Sequence, residues 1–137
     1  MAENIKLEVV TPEKAVVDED VQMVVAPGTL GEFGVLAGHT TFLTTLKVGT
    51  IRYTDTSGKE RYVFVSGGFA EALPDKVTVL AESAERRKDI DLTRAKDALQ
   101  RAEKRLAEDR SKEDIDFVRA KLALERALQR IKMSGSL

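Results

Sequence analysis

Asp89-Ile90-Asp91-Leu92-Thr93-Arg94-Ala95 is the stretch at which this chain changes architecture. Upstream of it, glycine and proline punctuate short apolar alternations; from here to Gly135 neither residue occurs. The apolar period switches from two, which suits strands, to the spacing of a helix. Ala95, Leu99, Ala102 and Leu106 recur at that spacing with Ala98 beside them, and Asp89 or Asp91 is placed to cap the first turn. A polar cluster, Glu108 to Asp114, breaks the pattern. Phe117, Ala120, Leu124, Leu128 and Ile131 then form a second stripe, with Ser111 or Asp114 as its cap. Two helices of similar length around a short polar turn fold back antiparallel.

Working upstream, Ile5, Leu7 and Val9 alternate with Lys6, Glu8 and Val10, as a half-buried strand requires. Ala15–Val17 and Val21–Ala26 read as short strands separated by an acidic turn, Asp18-Glu19-Asp20. Residues 50–54 and 61–66 flank a hairpin loop, and residues 69–73 and 77–81 flank the turn Pro74-Asp75-Lys76. Many short strands at roughly 8–12-residue spacing predict a sandwich or barrel. The expected fold is therefore an N-terminal all-β sandwich over residues 1–84, a hinge over 85–90, and an α-helical hairpin over 91–137. The hairpin seams are rich in alanine and bury little area, so the hairpin is marginal alone; it is either a small hairpin docked on the sandwich or a metastable element that opens when a better partner arrives.

Charge divides along the same line. Residues 1–84 hold 7 Lys/Arg against 12 Asp/Glu, whereas residues 85–137 hold 15 against 11, so an acidic front precedes a basic rear. Such asymmetry points to different partners for the two parts. The absence of cysteine excludes disulfides and thiolate metal sites. No apolar run approaches the roughly 20 residues that span a bilayer. The first residues lack signal or transit character, so a cytosolic chain is expected, with any membrane association through a protein partner.

Catalysis finds little support. The glycine-rich loop Gly28–His39 lacks the Gly-Lys-Ser/Thr ending of a phosphate-cradling loop, and Ser66-Gly67-Gly68 does not make a nucleophile elbow. His39 is the only histidine and has no second ligand nearby. The loop instead offers Glu32, Phe33 and His39 to a partner protein. A stronger pattern lies in the rear. Arg94, Arg101 and Arg105 repeat at the spacing of Arg119, Arg126 and Arg130, and closing the hairpin about residues 110–113 sets Arg94 level with Arg130 and Arg101 near Arg126. Guanidinium forks gathered this way match phosphate oxygens; the plainer reading is a solvated basic face. A nucleic-acid-binding arm is a further alternative, weakened by the acidic sandwich and by the lack of stacking aromatics beyond Phe117.

Gly31–His39, Ser66-Gly67-Gly68-Phe69-Ala70-Glu71 and Val77–Ala81, followed by two charged helices, together resemble the epsilon subunit of bacterial and chloroplast F-type ATP synthases, called delta in mitochondria. The resemblance spans nearly the whole chain, with Ala37 and Thr41 where family members often carry proline. It implies a noncatalytic central-stalk subunit, peripheral on the cytoplasmic face of the bacterial inner membrane. Its sandwich would contact the gamma subunit and the c-subunit ring through the loops of Glu32, Phe33 and His39. Its arm would extend into the alpha/beta catalytic head and inhibit ATP hydrolysis. Some family members bind ATP through an Ile/Leu-Asp-x-x-Arg-Ala motif, which Ile90, Asp91, Arg94 and Ala95 fit. Glu85, Arg101, Arg126 and Arg130 stand where the additional contacts would be, so a regulatory ATP is expected, with no required cofactor, no nucleic acid and no direct membrane insertion.

Overall fold

The computed structural model describes residues 3–108 and 115–135. The chain divides into two compact units, Met1–Arg87 and Lys88–Leu137. In the first, the described residues form nine strands: β1 (Ile5–Val10), β2 (Ala15–Gly28), β3 (Gly31–Val35), β4 (Phe42–Thr45), β5 (Gly49–Asp55), β6 (Glu60–Ser66), β7 (Phe69–Leu73), β8 (Lys76–Leu80) and β9 (Ser83–Arg86). Their order is β4-β7-β8-β1-β2-β5-β6-β9, with β3 paired to β2. Alternation buries one face of each layer. Ile5, Leu7 and Val9 of β1 and Val77 and Val79 of β8 belong to one core with Ile51 and Tyr53 of β5 and Val63 and Val65 of β6.

β2 joins the two layers. Its first part, Ala15 to Val21, pairs with β1, and its later part pairs with β5 on one side and β3 on the other. A register shift between Val21 and Met23 marks where it turns from one layer to the other. The structure thus replaces the expected pair of strands around an acidic turn with one continuous strand. Asp18 and Glu19 fit within it because cations stand beside them: Lys6 Nζ lies 3.4 Å from Asp18, and Arg86 Nη2 lies 3.9 Å from Glu19. Gly31–Val35, expected as loop, is a strand that returns along β2 after the two-residue turn Thr29-Leu30.

The sheet also continues past residue 84. Glu85 pairs with Phe64 and Arg86 with Val63 in β9, and a 3-10 turn, Arg87–Asp89, follows. Two consecutive arginines tie down this last strand. Arg86 Nε donates to the Val16 carbonyl at 2.9 Å and Nη1 to the Tyr53 hydroxyl at 3.3 Å, while the Arg87 guanidinium sits 5.0 Å from the Tyr62 ring centroid. Glu19 Oε1 is buried with no hydrogen-bond partner among the described residues, so the Arg86 charge is what compensates it. Burial first, and then the neighbouring Glu19 carboxylate, push the Tyr53 hydroxyl up to about 12. At the β5–β6 hairpin, Asp55 is held well below the usual carboxylate range by the Ser57 hydroxyl, then Arg61, then the Lys59 amide.

The second unit holds α1 (Leu92–Glu108) and α2 (Ile115–Met133). Asp91 is the N-cap of α1: its Oδ1 accepts from the Arg94 amide at 3.0 Å, and its carbonyl accepts from the Ala95 amide at 3.0 Å. α2 ends at Met133, and Gly135, whose φ of 84° suits glycine, turns the chain two residues beyond it. The proposed caps Ser111 and Asp114, and the turn at residues 110–113, lie outside the described residues. The buried residues of α1 are Ala95 and Ala102; those of α2 include Ala120, Ala127, Ile131 and Met133. Leu128, expected in the second stripe, is instead 39% exposed. Ala127 takes the buried position, because a short side chain lets backbones approach where a leucine would hold them apart.

The Arg86–Tyr53 arrangement predicts a pH window. Tyr53 keeps its proton more firmly in the folded state, so its contribution is fully present below about pH 10 and is lost as pH rises towards about 12. Denaturant melts should show that decline in the native chain and a flatter one in Tyr53→Phe. Arg86→Met, which leaves Glu19 uncompensated, should cost about 1–3 kcal/mol in urea unfolding at neutral pH. Asp91→Ala should cost about 1 kcal/mol of helix stability. Hydrogen exchange should register it as faster exchange at the Arg94 amide, with the core of β1 unaffected.

Candidate functional site

The basic helices place their arginines in a definite order. α1 and α2 run antiparallel: Arg105 and Arg119 share one cavity, with Glu108 and Asp116, while Ala98 and Arg101 share a second with Arg126 and Arg130. The second is a cleft of about 280 Å³ lined by Ala98, Ala102, Ala120 and Ala123 and by Arg101, Arg105, Arg126 and Arg130. Of these, Ala102 and Ala120 are buried, whereas Arg101 and Arg105 are exposed. Among the described lining residues there is no carboxylate. This makes the cleft a concentration of positive charge with fork-shaped donors, the chemistry that recognises phosphate or carboxylate.

Of the residues expected from sequence, the structure brings Arg101, Arg126 and Arg130 together here and adds Arg105. Arg94 is exposed and does not line the cleft. Ile90 is half-buried and Ala95 is buried. Asp91 has one carboxylate oxygen committed to its own helix. Glu85 belongs to β9, in the first unit. Arg105 stands in the arginine repeat of the sequence, four residues after Arg101, but the expected closure set Arg94 in the cleft, where the structure sets Arg105.

On the sandwich, Glu32, Phe33 and His39 do not form one surface. Glu32 and Phe33 are neighbours in β3 and so face opposite ways. The Glu32 carboxylate accepts from Arg52 Nη2 at 3.0 Å, and Arg52 also lies 3.8 Å from Glu60. Phe33 packs partly against the core and meets Phe42 edge-on at 5.0 Å. Phe42 in turn meets the His39 ring at 5.2 Å, and His39 Nδ1 donates to the Thr40 carbonyl at 2.8 Å. Gly38, with φ of 82°, makes the turn before His39 and anchors it by donating to the Pro74 carbonyl at 2.7 Å.

An apolar row was missed. Phe69 of β7 pairs with Leu80 of β8 and, on its other side, with Thr45, two residues from Leu43. Leu43, Phe69 and Leu80 are 70%, 53% and 56% exposed. The signal was in β7, where small Ala70 and Ala72 point inward and large Phe69 points out, the reverse of an ordinary strand.

No described helix is long and apolar enough to cross a membrane, and no group of metal-ligating side chains is assembled among the described residues. Residues 4–87 match the family described as ATP synthase, Delta/Epsilon chain, beta-sandwich domain, and residues 88–135 match its long alpha-helix domain. An ATP synthase epsilon chain of Desulforapulum autotrophicum is 67% identical over 108 residues, covering 79% of this chain and 80% of that one. One from Nitratidesulfovibrio vulgaris is 54% identical over 112 residues, covering 82% and 83%. Among solved structures, a chain in the Euglena gracilis mitochondrial ATP synthase, resolved with OSCP, F1 and c-ring, aligns with TM-score 0.78 at 25% identity, over 92% of this chain and 78% of that chain. A chain from the Tetrahymena thermophila central stalk and c-ring shares the fold at TM-score 0.58 and 13% identity, over 97% and 98%. A β-sandwich, a charged helical hairpin and relatives of this similarity converge: the chain belongs to the delta/epsilon family of F-type ATP synthases, as an epsilon-type chain.

Proposed function

We propose that this chain is a rotor subunit of the central stalk, with the sandwich as its coupling part and the hairpin as a regulatory arm. The sandwich binds the gamma subunit and the c-subunit ring, on the cytoplasmic face of the membrane, and transmits ring rotation to gamma. The exposed row of Leu43, Phe69 and Leu80 supplies apolar contact area, and the Glu32–Arg52–Glu60 group supplies a charged rim. Extended, the arm reaches the alpha/beta head and inhibits hydrolysis. Closed, it binds ATP, and nucleotide stabilises the closed form only by its preference for that form over the extended one.

The observation that carries the regulatory part is the cleft whose described charged lining residues are all arginines, on a hairpin that forms a compact unit of its own. A second reading, in which the arm is purely structural, draws support from Asp91 and Arg94. The Asp91 carboxylate serves as a helix cap, and Arg94 lies outside the cleft, so the motif residues have a structural use without any ligand.

Calorimetric titration of the purified chain with ATP separates the two. Under the regulatory reading, binding saturates at cellular, millimolar nucleotide, and Arg126→Gln weakens it at least tenfold. Absence of binding at those concentrations would remove the sensor and leave the stalk role standing. The stalk role is tested by affinity purification of the tagged chain from native membranes. Gamma and c subunits should co-purify, and Phe69→Asp should reduce their recovery; purification without either would end that reading.

A further inference from the structure

We infer that β9 is a releasable strand, latched to the sandwich by Arg86, and that its release lengthens the connection between the sheet and the helical arm. The inference rests on the reading of the hairpin as a regulatory arm and deepens it. Three features of the strand carry it.

The first is how little apolar area β9 buries. It is four residues long, ends the strand order and pairs with β6 alone among the described strands. Of its side chains only Ala84 is buried, and one methyl group removes little apolar area from water. β6 has its own support, since it is paired along its other edge with β5 and sends Val63 and Val65 into the core.

The second is the latch. Arg86 Nε and Nη1 donate to the Val16 carbonyl and the Tyr53 hydroxyl, and Nη2 faces the Glu19 carboxylate. One guanidinium thus joins β9 to β5 and to the part of β2 that lies in the other layer. The Arg86 and Glu19 side chains are 27% and 35% exposed, so water reaches the latch. The groups that the guanidinium leaves are then hydrated, and an attachment of this kind opens at lower cost than one made of buried apolar side chains.

The third is the length of the connection. Asp91 caps α1, so with β9 seated only residues 87–90 lie between the sheet and the cap, and three of them form the 3-10 turn. Releasing Ser83–Arg86 doubles that connection and adds about 13 Å of reach, at about 3.3 Å per extended residue. An arm that changes position gains its slack there.

Hydrogen exchange on the full chain reads the release directly. Amides of residues 83–86 should exchange well ahead of those of β1 and β5, through an opening that low urea barely changes. Arg86→Gln should speed that exchange about tenfold, and Arg86→Lys less, because lysine keeps the charge beside Glu19 and loses the fork. If residues 83–86 exchange at the rate and with the urea dependence of β1, the strand leaves only with the whole sandwich and the inference falls. Because the chain has no cysteine, a single disulfide can hold the strand shut: Ser66→Cys with Ser83→Cys, at partners in the β6–β9 register. Assembled with gamma and the alpha/beta head, this variant should inhibit ATP hydrolysis when reduced and lose that inhibition when oxidised. Equal inhibition in both forms would overturn the longer connection and leave the regulatory arm standing. Absence of inhibition by the native chain would end both.

Discussion

The first unit depends on one strand that serves two layers. β2 is hydrogen-bonded to β1 along its first part and to β3 and β5 along its second. Every other pairing inherits its position from that arrangement. β8 and β7 are placed by β1, and β6 and β9 by β5. A strand that leaves one layer for another has to bend, and the register shift between Val21 and Met23 supplies the bend. Around it, Val17, Val21, Val24 and Ala26 are all buried, which locks the crossing in register, since a one-residue slip would turn them out to solvent.

The second unit is held together on different terms. Its seam is drawn from alanines seven residues apart on each helix, Ala95 and Ala102 against Ala120 and Ala127, reinforced by Ile131 and Met133. Short side chains contribute little hydrophobic stabilisation per contact, roughly 25 cal/mol per Å² of apolar area removed from water. They do bring the arginines of the two helices into one cleft, at the cost of mutual repulsion. A hairpin that stabilises itself weakly and concentrates like charge gains from an anion.

Much of this was legible in the residues and some was not. The alternation of Ile5, Leu7 and Val9, and the helical spacing after Asp91, directly specified a sandwich followed by two helices. The acidic run Asp18–Asp20 misled because charge was read as turn chemistry, when the compensating Lys6 and Arg86 are distant in sequence. Gly31–Val35 misled because glycine suggests loops, whereas here it accompanies a two-residue hairpin turn. Residue 84 fell short of the end of the sheet because β9 owes its place to pairing with β6, not to its own pattern. At the candidate site, Arg101, Arg126 and Arg130 came from spacing alone. The exchange of Arg94 for Arg105 in the cleft needed the helix register, and the exposed Phe69 row needed the pairing of three strands.

The parallel pairing of β1 with β8 has a consequence for synthesis of the chain. β1 can pair with β2 once both have left the ribosome, but its other edge stays open until Lys76–Leu80 emerges. At about 5–20 residues per second, the interval between completion of β2 and completion of β8 lasts roughly 3–10 s. For that time a strand with Ile5, Leu7 and Val9 on one face has an unpaired edge, the feature through which nascent chains associate wrongly. Lys6 and Glu8 alternate with those residues. Before they join the ion pairs of the finished sheet, their charges guard the unfinished one.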